Sequence, residues 1–319
     1  MSDSNQNDPN WERETINKLA FSAINEQKKA RRWNIVFRSL FVVWLFSFLV
    51  VLMTSPGRQG PVKYTKTHTA LIDIKGVIAA DSEANADNIV TSLREAFENE
   101  NSKAVIMRIN SPGGSPVQSG YINDEIIRLR NEYPDKKLYA VIVDLCASGG
   151  YYIAAAADQI YADKASIVGS IGVIMNGFGF TGSMDKLGVE RRLITAGEHK
   201  GFLDPFSSLN DDEVAHARKL LDNIHEQFIN VVKNGRGDRL ADDDKLFSGY
   251  VWTGERSVEL GLVDALGSSS YVAREIVGEE ELVDYTVKPT YLERFAERFG
   301  AAIGDSVANV LAVEAMRLK

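Results

Sequence analysis

A serine framed by small residues, Asp144-Leu-Cys-Ala-Ser148-Gly-Gly-Tyr-Tyr-Ile-Ala-Ala, carries the strongest chemical signal in this chain. The β-branched apolar run Leu138–Val143 leads into it and an Ala-rich helical run follows. The local pattern therefore predicts a strand-to-helix turn at Ser148. A hydroxyl placed where a helix begins meets free backbone N–H groups and the positive end of the helix dipole, which suits a nucleophile that develops negative charge. Taken alone, the same residues also describe a serine N-cap before a buried small-residue helix.

A second unusual turn, Asn110-Ser111-Pro112-Gly113-Gly114, follows the apolar run Ala104–Ile109 directly. Pro fixes one backbone angle and the glycines open conformations closed to other residues. The exposed amides of such a turn can bind an oxyanion. Two neighbouring strand ends would then supply a nucleophile and oxyanion donors. The serine also needs a base. Of the histidines, His68 precedes the first expected strand, and His216 and His225 fall on the polar side of a long helix. His199 sits in the loop Ala196–Phe206, and its neighbour Lys200 is a rival base. Lysine serves as a base only when neutral, and Ser–Lys pairs are a known solution to serine activation.

Alternating patterns set the elements around these turns. Strands are expected at Thr69–Ile74, Ala104–Ile109, Leu138–Val143, Gln159–Ala162 and Val189–Thr195. Helices are expected at Ala84–Asn99, Val117–Asn131, Tyr151–Asp158 and Asp211–Asn234. Repeated strand–helix units predict an α/β fold with a mainly parallel sheet, whose sites form at the carboxyl ends of the strands.

The chain has 319 residues, 45% hydrophobic and 25% charged, with a formal charge of −8. That composition is globular, and the charge argues against a nucleic-acid partner. Cys146 is the single cysteine, which excludes an intrachain disulfide and a thiolate-rich zinc site and is expected to pack rather than react.

Residues 35–53 are apolar apart from Arg38 near the start, and Ser55-Pro56-Gly57 closes the run. The stretch shows no polar face and predicts a membrane-spanning helix, with Arg38 reaching back to the interface. Lys28, Lys29, Arg31, Arg32 and Arg38 precede it, whereas Arg58, Lys63 and Lys66 follow. That bias places the N-terminus in the cytoplasm. The long polar lead and the lack of an Ala-x-Ala site favour an uncleaved signal-anchor. The expected organisation is a cytoplasmic tail over residues 1–34, an anchor over 35–54, a linker over 55–68, a main domain over 69–287 and a helical tail over 288–319.

From about residue 69 to residue 267 the chain resembles the SppA family of membrane-anchored serine proteases, the bacterial signal peptide peptidases, in their short form. The matching stretches are Asn110–Gly114, Asp144–Tyr152, Gly169-Ser-Ile-Gly-Val173, Gly197-Glu-His-Lys200, Asp204-Pro-Phe206, and Trp252-Thr-Gly through Gly261-Leu-Val-Asp264. The resemblance implies the ClpP/crotonase-like fold. It implies Ser148 as nucleophile, Lys200 as general base, Ser170 as the group that orients the lysine, and Gly114 as an oxyanion-hole amide with Gly149 as the second donor. His199 then has no role. It also implies no metal or cofactor, and a ring-like homo-oligomer in which the lysine of one subunit completes the site of the next. The expected substrates are spent signal peptides and other unfolded or hydrophobic polypeptides at the extracytoplasmic face of the inner membrane. Three rivals share parts of the pattern: a protease trimming a membrane-protein regulator, a crotonase-like acyl-CoA enzyme, and a non-catalytic membrane scaffold.

Overall fold

A computed structural model describes residues 11–54 and 66–288. The expected helical tail beyond residue 288 and most of the linker lie outside the described residues. The chain divides into two units, and Pro61–Lys288 forms the larger.

In the smaller unit one helix, α1, runs over Trp11–Thr54. Its large apolar side chains from Trp33 to Phe48 are exposed around the whole circumference. Among the described residues no helix is long and apolar enough to cross a membrane. The span expected at 35–54 includes residues 49 and 51–54, whose side chains lie outside the description.

The larger unit is an α/β structure built on one sheet. In chain order its elements are β1 (His68–Lys75), α2 (Ala86–Glu98), β2 (Ser102–Ser111), α3 (Pro116–Glu132), β3 (Lys137–Ala147) and α4 (Gly149–Ala154). They continue with β4 (Gln159–Ala162), β5 (Ile167–Gly169), α5 (Thr181–Leu187), α6 (Asp211–Arg236), β6 (Val251–Thr253) and α7 (Gly254–Glu259). The unit ends with β7 (Ala265–Leu266), a short α8 (Ser269–Tyr271) that passes into a π-helical turn, and β8 (Leu282–Asp284). The strand order is β6-β5-β3-β2-β1-β8, with β4 on β3 and β7 on β4. All pairings are parallel except β5 with β6.

Local sequence accounts for the helix starts. Asn85 caps α2 by accepting from the Asn88 amide at 2.9 Å. Ser115 caps α3, with Pro116 in the first helical turn. Asn210 caps α6, whose first turn is acidic. Each side-chain oxygen satisfies an otherwise orphaned amide, and each such cap contributes about 1 kcal/mol. On α2, Ile89, Leu93 and Phe97 are buried against the inner face of β1 and β2, where Ile72, Ile74, Val105 and Met107 are fully buried. Burial at this level stabilises by roughly 2 kcal/mol per large side chain.

β3 differs from its expected form. It continues past Val143 to Ala147 by changing partners: Tyr139–Ile142 pair with β4, whereas Leu145–Ala147 pair with β5. The apolar run ends at Asp144, and the extension pairs instead with Ser111 of β2 and with β5. The strand expected at Val189–Thr195 does not form. Ile194 is 94% exposed, and within one chain no strand lies beside this segment to pair its backbone. Tyr151–Asp158 shortens to α4, because Ala155–Ala157 close the helix and lead at once into β4. His68 does not precede the first strand but is its first residue. It is buried in β1, with Nε2 at 2.8 Å from the Tyr285 hydroxyl.

Candidate active site

Ser148 falls between the last residue of β3 and the first of α4, with φ 51° and ψ −123°. A non-glycine residue there is strained by about 1–3 kcal/mol, and such strain gathers at functional sites. Its neighbours hold the turn. The Ser148 amide donates to the Gly169 carbonyl at 2.9 Å, and the Ser148 carbonyl accepts from the Tyr152 amide at 3.0 Å. No cap hydrogen bond engages the Ser148 side chain, which therefore remains available for chemistry.

The Ser111–Ser115 turn lies directly against this elbow. The Gly113 carbonyl accepts from the Ile78 amide at 2.9 Å, and the Ser115 amide donates to the Ile78 carbonyl at 2.8 Å. In a trans peptide the N–H points opposite the C=O. With the Gly113 carbonyl tied to Ile78, the Gly114 N–H is turned away from Ile78. A Cβ added to Gly149 would lie 3.2 Å from the Gly114 nitrogen and 3.5 Å from the Gly113 Cα. The Gly149 amide opens α4 and has no acceptor within its own helix. The two expected oxyanion donors therefore stand side by side next to Ser148. Only glycine fits here: a Cβ on Gly113 would come 2.6 Å from the Gly149 nitrogen and 2.7 Å from the Ser148 Cβ. Across the ends of β2 and β3, Asn110 Nδ2 donates to Asp144 Oδ2 at 2.8 Å and ties the two turns together.

Ser170 follows β5, also at positive φ, 52°. Its amide donates to the Tyr250 carbonyl at 2.7 Å. His225, on α6, lies with Nε2 at 3.1 Å from the Ile171 carbonyl. It is a partly buried prop for the Ser170 segment rather than a residue of the helix's polar side. Cys146 is fully buried and burial pushes its thiol pKa up, which keeps it protonated and inert.

The structure brings Ser148, Gly114, Gly149 and Ser170 together. No hydrogen bond joins Lys200 to them: Lys200 is exposed in a turn, and among the described residues its Nζ has no hydrogen bond or ion pair within the chain. His199 makes its contact elsewhere, with Nδ1 at 3.7 Å from Glu213 Oε1. Glu213 also accepts from the Leu203 amide at 3.2 Å and so anchors the Lys200 loop to α6. Sequence reasoning passed over Glu213, which reads there as one more acid in a helix's first turn. Asp204 and Phe206 hold the same loop: Arg191 bonds Asp204 at 3.0 Å, and the Phe206 ring stacks 5.3 Å from Phe180. The loop leaves Ile174, Phe178, Leu187, Ile194 and Leu209 exposed in a single chain.

Among the described residues, no cluster of His, Cys, Asp or Glu could hold a metal ion.

Residues 131–282 match peptidase family S49. The chain is 45% identical over 188 residues to a protein named Na(+)/H(+) antiporter NhaA from Brucella abortus, covering 59% of this chain and 25% of that protein. It is 32% identical over 224 residues to the putative signal peptide peptidase SppA of Enterococcus faecium, covering 68% of this chain and 64% of the relative. A putative protease of Methanocaldococcus jannaschii is 30% identical over 241 residues, covering 73% of this chain and 76% of the relative. The chain thus spans a quarter of the antiporter's length and somewhat under two thirds of the Enterococcus protein. With Ser148 at a strained strand-to-helix elbow facing two adjacent glycine amides, the chain belongs to the SppA-type peptidase family S49.

Proposed function

We propose that this chain is a serine endopeptidase with a Ser148–Lys200 dyad that cleaves extended polypeptides. The observation that carries the proposal is the Ser148 elbow, with the Gly114 and Gly149 amides beside its side chain. In this reading neutral Lys200 takes the Ser148 hydroxyl proton as Oγ attacks the scissile carbonyl. The Gly114 and Gly149 amides hold the tetrahedral oxyanion, an electrostatic contribution worth roughly 3 kcal/mol per donor. Collapse breaks the C–N bond, and the lysine returns the proton to the departing amine. Water, activated by the same lysine, then hydrolyses the acyl-enzyme and frees Ser148. Ser170 orients the lysine. No cofactor enters the cycle.

The exposed position of Lys200 supports the view that a second copy of the chain supplies this base. The uncovered apolar side chains of the 172–210 segment support the same view, since contiguous exposed apolar surface marks contact sites. We infer a homo-oligomer whose sites form between subunits. The uncharged stretch Ser39–Met53 supports an N-terminal membrane anchor with a cytoplasmic tail and an extracytoplasmic protease unit. Spent signal peptides and other hydrophobic polypeptides are the proposed substrates.

The test is cleavage of an apolar signal-peptide substrate by the full chain in detergent, beside Ser148→Ala, Lys200→Ala and His199→Ala. Loss in the first two and near wild-type rates in the third support the dyad. Recovery of activity on mixing the two inactive variants supports shared sites. Normal cleavage by Lys200→Ala overturns the assigned base, and an inert wild type favours a scaffold.

A further inference from the structure

Ser119 lies on α3, one turn inside the Ser115 cap, and is fully buried. Its hydroxyl has no hydrogen-bond partner among the described residues. One turn further along the same face, the buried Asn123 donates to the Tyr152 carbonyl at 3.0 Å and pins α3 to α4. The position of Ser119 is therefore fixed, and the lack of a partner is not slack in the packing. Its Oγ would lie 2.5 Å from a Cβ placed on Gly149, and the Gly114 nitrogen lies 3.2 Å from that same point. The orphaned hydroxyl thus sits against Gly149, close to where the Gly114 amide also approaches. Leaving a buried hydroxyl unpaired costs about 1–3 kcal/mol, and alanine would fill the same space without that cost.

We propose that Ser119 is a positioning residue of the oxyanion hole. Its O–H dipole has no acceptor in the resting chain and turns toward the negative charge that forms beside Gly149 and Gly114. It acts on the charge that the two amides hold and does not touch substrate. Stabilisation is then present in the tetrahedral state and absent in the ground state, which is where a fixed polar group accelerates a reaction. The inference rests on the reading of Gly114 and Gly149 as oxyanion donors.

The experiment compares Ser119→Ala with wild type in the full chain, by thermal unfolding, steady-state kinetics on a signal-peptide substrate, and affinity for a peptide boronate that forms a tetrahedral adduct on Ser148. The expected result is an unchanged or higher Tm, an unchanged KM, and a kcat about tenfold lower with a matching loss of boronate affinity. Ser119→Cys, similar in size and a weak donor, should recover part of kcat. A kcat and boronate affinity within about twofold of wild type overturn the role, because the hydroxyl would then be inert packing. A marked fall in Tm overturns it too, because the hydroxyl would then be a structural partner. If the wild type itself cleaves nothing and binds no boronate, the peptidase reading fails and this inference falls with it. A wild type that cleaves, beside an unaffected Ser119→Ala, sinks only the inference.

Discussion

The Ser148 amide donates a 2.9 Å hydrogen bond to the carbonyl of Gly169, the residue before Ser170. That bond joins the end of β3 to the end of β5 and sets both serines at matching positive φ, 51° and 52°. The candidate nucleophile and its candidate orienting serine are therefore parts of one strained unit. Tyr250 and His225 brace the Ser170 side of it through the Ser170 amide and the Ile171 carbonyl.

Strain at Ser148 gives a stability test independent of turnover. Ser148→Gly and Ser148→Ala should both abolish cleavage. Glycine adopts φ 51° freely, whereas alanine keeps the Cβ that makes it costly. Ser148→Gly is expected to be about 1 kcal/mol more stable than Ser148→Ala in denaturant unfolding. Equal stability would show that the elbow is unstrained.

Two glycines on adjacent elements should respond oppositely to alanine. At Gly149 a Cβ would meet Ser119 Oγ at 2.5 Å and crowd the Gly114 nitrogen, so Gly149→Ala should lower kcat by about a hundredfold or more. At Gly120, inside α3, a Cβ would meet nothing within 4 Å. Gly120→Ala should keep full activity and gain up to about 1 kcal/mol of stability from helix propensity. Kinetics and thermal melts of the pair would read both outcomes.

The stretch that packs behind α4 depends on a buried ion pair. Arg236 is 1% exposed and bonds both carboxylate oxygens of Asp264, at 2.8 and 3.0 Å, and the Gly261 carbonyl at 2.9 Å. Burial alone would raise the Asp264 pKa, but the Arg236 guanidinium, with the Ile160 amide and Arg239, outweighs it and holds the carboxyl below its ordinary value. Next to this pair, the Tyr151 hydroxyl donates to the Leu262 carbonyl at 2.8 Å and ties α4 to the same turn. Arg236→Met leaves Asp264 without its main partner and should cost about 3–5 kcal/mol in unfolding measurements.

Glu125 supplies a pH dependence. Hydrogen bonds from Arg128 and Arg94 hold its carboxyl down to about 2, against an ordinary 4.5. A carboxyl depressed in the folded state adds stability above its unfolded pKa and loses it as pH falls through the folded one. The contribution should be complete above about pH 4.5 and fade toward about pH 2. Unfolding titrations of Glu125→Gln should show a shallower acid slope in that window than wild type. Parallel slopes would show that the arginines give Glu125 nothing net.

The amino-acid sequence by itself determined the α/β alternation, because burial on one face writes a period that short windows reveal: Ile89, Leu93 and Phe97 on α2, or the apolar run of β2. It also marked Ser148, Gly114 and Gly149, since a sharp turn between strand and helix tolerates few residue types. The tertiary structure alone decided the rest. β3 reaches Ala147 by pairing with β5 over Leu145–Ala147, and Val189–Thr195 has no strand to pair with among the described residues. Lys200 reads as a base from its motif, yet within one chain it lies exposed in a turn and no hydrogen bond joins it to Ser148. Ser119 reads as any helical serine until α4 is packed against it. Local conformation depends on neighbours within a few residues. A missing partner, for a strand, a lysine or a buried hydroxyl, depends on segments the chain brings together only when folded.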